Sequence, residues 1–254
     1  MCGRYASSRR PEDLIEEFDV VESRVPEALA PDYNVAPTKE VYAVVERPPS
    51  REAGEQGEPP ERQLRVLTWG LVPSWAKDPK IGNRMINARM ETVAEKPAYR
   101  RALASRRCLL PADGYFEWYP TEELTKSGKP KKQPFFIRPK DGATLAMAGL
   151  YEIWRDPTKD DDAEDRFLWS CTVITTDAPD DLGKIHDRMP LMVEPDRWAA
   201  WLDPRTDKES VLDLLVPAAP GRLEAYPVST MVNAVKNNGP ELIEPLPLEG
   251  AGGS

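Results

Sequence analysis

Residues 108–138 read CLLPADGYFEWYPTEELTKSGKPKKQPFFIR. They hold three runs of strand-forming residues, Cys108–Leu110, Gly114–Tyr119 and Phe135–Arg138, joined by a tight Pro-Ala-Asp link and a lysine-rich turn. Strands that follow one another this closely leave no room for helical crossovers, so the pattern is hairpin-like and antiparallel. Within GYFEWY, two-residue alternation puts Tyr115, Glu117 and Tyr119 on one face and Phe116 and Trp118 on the other. Glu117 is a carboxylate inside an aromatic strand. It is either a solvated face residue or a partly desolvated acid with a raised pKa.

Outward from this stretch the same alternation of short strands continues. Glu40–Glu46 (EVYAVVE), Leu64–Trp69 (LRVLTW), Phe167–Thr176 and Leu223–Val228 have β-branched and aromatic character. Pro11–Phe18, Ala98–Ser105, Asp196–Leu202 and Glu209–Leu215 read as helices, the first with Pro11 suited to an opening turn and Glu12 and Asp13 to its positive end. Pro48–Arg62 reads as a mobile surface loop. The 254 residues include 27 prolines and show no internal repeat. The expected fold is α+β: a single domain over 1–246, with a largely antiparallel, barrel-like sheet, flanking helices and a disordered tail at 247–254.

Composition narrows the function classes. A formal net charge of −9 argues against a protein that coats nucleic acid by bulk electrostatics, so any such contact must be local. The three cysteines, Cys2, Cys108 and Cys171, are odd in number and widely spaced, which indicates neither a disulfide framework nor a cysteine zinc site. With one histidine, a metal site lacks ligands, and neither metal nor organic cofactor is expected. No apolar leader or membrane-length run is present, and the expected compartment is a reducing cytoplasm.

Candidate chemistry begins at Cys2. A small residue at position 2 permits loss of Met1, which leaves a cysteine with a free α-amine. The amine titrates near ~7.7–8.0 and the thiol near ~8.5, so both are partly nucleophilic at neutral pH. An amine condenses with an aldehyde, and the neighbouring thiolate closes a five-membered thiazolidine on the same carbon, which an internal cysteine cannot do. The alternative is an incidental residue on a frayed end. His186, in KIHDRMP, is a proton carrier by its pKa class, or else an ordinary surface histidine. Asn87 and Arg89, in MINARMET, offer a neutral hydrogen-bonding group and a phosphate-binding one.

Positive charge gathers locally. From Arg84 to Arg107 there are seven basic side chains against two acidic ones, and Arg4, Arg9 and Arg10 add more near the start. Trp69 and Trp75 lie in WGLVPSW: Trp69 is expected in the core, while Trp75, if exposed, could stack on an unpaired base.

MCGRY, YNVAPT at 33–38, WGLVPSW, INARMET, GYFEWY, KKQPFFI at 131–137 and IHDRMP, taken in order, resemble the SRAP family of abasic-site processing proteins. The resemblance spans most of the chain. It implies a thiazolidine cross-link between Cys2, freed of Met1, and the ring-opened sugar of an abasic site in single-stranded DNA, possible substrates including replication junctions. It also implies Asn87 as the group that orients Cys2, with Glu117 and His186 as the acid/base pair. Gly3, Arg4, Arg89 and Arg188 then contact DNA, with Asn34, Pro37 and Trp75 walling the kinked strand, in a monomer that is nucleoid-associated when on DNA. Two departures are visible: Ala76 stands where the family often has an aromatic, and the acidic stretch 156–165 and the 48–62 loop look like insertions. Two other classes remain, an N-terminal-Cys glutamine amidotransferase, which also begins MCG but needs a synthetase domain, and a non-catalytic single-strand binder.

Overall fold

The computed structural model describes residues 2–247. Among them the strands are β1 (Tyr5–Ser7), β2 (Glu22–Ser23), β3 (Asp32–Val35), β4 (Glu40–Arg47), β5 (Glu61–Trp69), β6 (Asn87–Arg89) and β7 (Arg107–Ala112). They continue as β8 (Gly114–Leu124), β9 (Pro130–Pro139), β10 (Leu145–Arg155), β11 (Phe167–Asp177), β12 (Arg188–Pro190) and β13 (Leu223–Pro227). Short helices decorate them: α1 (Pro11–Glu17), α2 (Arg51–Glu55), α3 (Arg100–Ser105), α4 (Asp180–Ile185), α5 (Trp198–Leu202) and α6 (Lys208–Asp213).

Two sheets form. One is antiparallel throughout, in the order β13-β9-β8-β1-β3. In the other, β5, β4, β7, β10 and β11 are neighbours in turn, and a parallel pairing of Ser170 and Cys171 on β11 with Thr68 and Trp69 on β5 closes them into a barrel. Closure removes the open edges that a sheet would otherwise present. The expected single-domain, largely antiparallel fold is the one observed.

Period-two alternation sorts the side chains of the barrel. On β4, Val41, Ala43 and Val45 join an inner cluster with Leu67, Trp69, Cys108, Leu110, Met147, Cys171 and Val173. Tyr42 and Val44 point the other way, into a second cluster with Leu14 and Phe18 of α1 and its flank, Leu103 of α3 and Trp201 of α5. Leu14 and Phe18, four residues apart, share one helix face. Fully burying side chains of this size stabilises by roughly 1.5–3 kcal/mol each. Phe116, Phe136 and Val228 make a third cluster on the far side of the smaller sheet.

Several elements differ from the sequence-based expectation. Residues 48–62 are not one loop: Ser50 caps α2 by accepting from the Ala53 N–H at 3.0 Å, and Glu61 and Arg62 already belong to β5, opposite Arg47 and Glu46. Residues 196–202 split into a 3-10 turn and α5. The strand β10 went unread because LAMAGLYEIWR mixes helix formers with a glycine. That glycine is needed: a Cβ at Gly149 would lie 2.8 Å from the Cys108 sulfur. Of the expected tail, only residue 247 falls within the described residues.

Candidate active site

Four chain segments meet at this site: the chain start with Cys2, β6, the turn from α4 into β12, and β8. The first is the start of the chain, which enters the middle of the smaller sheet: β1 lies between β3 and β8, with Tyr5 opposite both Val35 and Tyr115. The Phe116 N–H donates to the Arg4 carbonyl at 2.9 Å and extends that ladder toward Cys2. Cys2 is completely buried, packed with Tyr5, Tyr115 and Val173 at the edge of the inner cluster.

The second segment is β6, which pairs in parallel with β11, Asn87 opposite Val173. This register delivers the Asn87 amide to Cys2, and its Nδ2 donates to the Cys2 carbonyl at 2.8 Å. The Asn87 Oδ1 is buried and has no hydrogen-bond partner among the described residues. Tyr99, whose hydroxyl donates to the Asn87 carbonyl at 3.2 Å, braces the strand from behind.

The third segment runs from α4 into β12. His186 caps the end of α4, and its Nε2 is 4.0 Å from Oε2 of Glu117 on β8. Alternation along β8 is as expected: Tyr115 and Glu117 turn toward Cys2, while Phe116 and Trp118 face the third cluster. Glu117 is 3% exposed, and burial pushes its carboxyl up to about 7, with Asp187 adding to the push and Lys132 opposing it. Burial also lowers the His186 pKa, against the nearby Asp187 carboxylate. The Cys2 thiol is raised by burial and then by Glu117, so it rests protonated. A carboxyl that titrates near neutrality beside a protonated thiol can pass protons in either direction.

The other sequence candidates fall into two groups. Arg89 is exposed on β6 beside Asn87, and Trp75 is 57% exposed; Gly3 and Pro37 are half-buried near the chain start and after β3. These present groups to solvent. Arg4, Asn34 and Arg188 are instead committed to internal partners. Arg4 donates to Asn34 Oδ1 at 2.7 Å and to the Val232 carbonyl at 2.9 Å, with its guanidinium 5.7 Å from the centre of the Trp118 ring. Asn34, fully buried, holds the carbonyls of Val232, Ala234 and Asn237. Arg188 is 8% exposed and forks onto both Glu91 oxygens while also reaching Asp177 and the Thr175 carbonyl. A phosphate at Arg188 must therefore displace a carboxylate. Trp69 is core, as expected, with its indole N–H donating to the Ile86 carbonyl.

Glu91, Tyr99 and Asp187 were not singled out from sequence for these roles. Glu91 sits within INARMET, but its pairing with Arg188 depends on β6 and β12 both joining β11, which no local pattern announces. No helix among the described residues is long and apolar enough to cross a membrane.

Comparison with known proteins gives a consistent answer. The chain is 39% identical over 245 residues to the abasic site processing protein YoqW of Bacillus subtilis, covering 96% of this chain and 99% of that one. It is 33% identical over 253 residues to the abasic site processing protein YedK of Escherichia coli, covering 97% and 100%. A crystal structure of a protein from Bacteroides thetaiotaomicron has the same fold, with a TM-score of 0.77 at 23% identity over 96% of this chain and all of that one. The family model described as SOS response associated peptidase matches residues 1–235. This protein therefore belongs to the SOS response associated peptidase (SRAP) family.

Proposed function

We propose that this protein processes abasic sites in single-stranded DNA by forming a covalent thiazolidine link to Cys2 once Met1 has been removed. The observation that carries this reading is the meeting of Cys2, Asn87, Glu117 and His186 from four distant parts of the chain. The names of the relatives support the substrate class.

The chemistry runs through Cys2, Asn87, Glu117 and His186. An abasic deoxyribose is mostly a closed hemiacetal, and opening it moves a proton from the anomeric hydroxyl to the ring oxygen. Glu117, titrating near 7, suits that transfer, and His186 beside it assists departure of the ring oxygen. The α-amine of Cys2 adds to the aldehyde carbon and, with one proton taken from the Glu117 carboxyl, water leaves to give an iminium ion. The Cys2 thiol then gives its proton to a neighbouring base, and its sulfur adds to the same carbon to close the ring. The net change is loss of one water. Asn87 fixes the Cys2 carbonyl, and with it the direction of amine and thiol.

DNA approaches through local groups in this reading, chiefly Arg89 and Trp75, since they already face solvent. A single-stranded target avoids the few kcal/mol needed to flip a nucleotide out of a duplex. Incubation with an oligonucleotide carrying an abasic site, followed by denaturing electrophoresis, tests the proposal. A heat-resistant protein–DNA band dependent on Cys2 is expected. Its absence with protein of verified mature mass overturns the covalent reading and leaves a non-catalytic single-strand binder.

A further inference from the structure

A cationic cluster occupies the barrel well away from Cys2. Trp169 lies on β11 four residues before Val173, the ladder partner of Asn87, so it is roughly 13 Å along the strand from that end of the site. Its ring carries the Arg65 guanidinium 4.2 Å and the Arg47 guanidinium 4.9 Å from its centre, and the Tyr151 ring is stacked with it at 5.7 Å and 10°. Arg47 continues the inward-facing row of Val41, Ala43 and Val45, and Arg65 that of Leu67 and Trp69. All three cluster side chains that ring Tyr151 are half-buried, while Tyr151 itself is buried.

The charge there is poorly compensated. Among the described residues, neither Arg47 nor Arg65 makes an ion pair. Arg65 Nε donates to Gln63 Oε1 at 2.9 Å, a neutral acceptor. The nearby carboxylate of Glu22 is engaged by Arg24 at 2.8 Å, and Glu152 by Arg106. Glu61 stands opposite Arg47 in the ladder, and no ion pair joins them among the described residues. Burial, then Arg47, then Arg24 draw the Arg65 pKa down to about 10. Like charges brought together in a half-buried place cost stability unless an anion joins them, and guanidinium groups set over an aromatic ring are well suited to fork onto phosphate oxygens.

We infer that Arg47 and Arg65, set on Trp169, form a second anion site that takes a phosphate group, separate from the Cys2 centre. Its occupant carries a compact phosphate or diphosphate, because the aromatic faces are already used by the arginines and Tyr151 and leave no platform for a base. Nothing in the covalent chemistry at Cys2 requires it.

The test is a titration of the full-length protein with inorganic pyrophosphate at constant ionic strength, read by calorimetry and by tryptophan fluorescence. Saturable binding is expected, weakened roughly tenfold or more in both Arg65→Gln and Arg47→Gln, as expected for loss of a charge-assisted contact. Cys2→Ser and Arg89→Ala should bind pyrophosphate as the parent does. Should Arg65→Gln fold poorly, Arg47→Gln carries the comparison, with melting temperature as the control. A competing single strand without an abasic site identifies the source: displacement assigns the phosphate to a DNA backbone, and no displacement assigns it to a free anion. No saturable binding, or binding lost in Arg89→Ala but kept in both arginine-to-glutamine variants, overturns the site.

Discussion

The backbone N–H of Arg188 donates to Nδ1 of His186 at 3.0 Å. A nitrogen that accepts a hydrogen bond cannot carry the proton in a neutral ring, so the proton of neutral His186 is on Nε2, the nitrogen 4.0 Å from Glu117. The position of β12 thus selects the tautomer that faces the carboxyl. Asp187, 3.0 Å from Nδ1, stabilises the doubly protonated ring if His186 takes up a second proton.

His186→Ala should slow cross-linking to abasic DNA by ~10²-fold or more, within the usual range for acid/base help. Affinity for an intact single strand should be unchanged. Single-turnover gels set beside an equilibrium binding assay separate the two. Equal loss of both would mark the residue as a DNA contact instead.

Glu117→Gln makes a sharper case through pH. The folded pKa of Glu117, about 7, lies above its ordinary 4.5, so the folded chain holds this proton more tightly than the unfolded chain does. That contribution is fully present below about pH 4.5 and is lost as pH rises through about 7, a swing of ~3 kcal/mol. Glutamine never ionises. The variant should therefore gain in melting temperature over the parent as pH goes from 5 to 8, while cross-linking slows. A difference that stays flat with pH contradicts the buried, protonated acid.

Cys2→Ser should abolish the stable adduct while keeping a borohydride-trappable imine. Cys108→Ser and Cys171→Ser should cross-link at the parent rate but melt lower, since each puts a hydroxyl inside the barrel at a cost of about 1–3 kcal/mol. Intact mass after incubation with abasic DNA distinguishes the three proteins.

Arg89→Ala and Arg188→Ala should part company. The Arg89 side chain is exposed and makes no hydrogen bond or ion pair among the described residues, so its loss weakens single-strand binding, more so at low salt, and leaves stability alone. Arg188 is buried among Glu91, Asp177 and Thr175, so its loss lowers the melting temperature as well. Neutralising Lys129, Lys131 and Lys132 should do less than either. If it does more, DNA lies along the β8–β9 hairpin.

Gly114→Ala should destabilise the protein by more than an ordinary surface change. A Cβ there would lie 2.5 Å from both the Ile137 carbonyl and the Phe136 ring, at the point where β8 meets β1. Both melting temperature and cross-linking rate should fall, because the same junction seats Cys2.

Much of the site was legible because its pieces are local. GYFEWY encodes its own two faces, and the face that holds Glu117 follows from alternation alone. Cys2 and His186 stood out by chemistry. What could not be read is pairing at long range: the parallel contact of β11 with β5 that closes the barrel, and the register that sets Asn87 opposite Val173. Arg188 shows the same limit. Its residue type suits a phosphate, yet the two carboxylates that occupy it come from chain positions 91 and 177. The strand β10 hid because Gly149 answers to the Cys108 sulfur, a neighbour 41 positions away that no window of sequence displays.

The seating of β1 between β3 and β8 also sets an order of events during synthesis. Tyr5 leaves the ribosome early, but its ladder partner Tyr115 is made roughly 110 residues later, and long-range closures of this kind come late in folding. Until then the chain start is a loose end without Glu117 or Asn87 beside it. A nascent or truncated chain thus carries the sulfur without Glu117 and Asn87 around it, and the proposed proton-transfer groups come together with Cys2 only once the whole sheet has zipped.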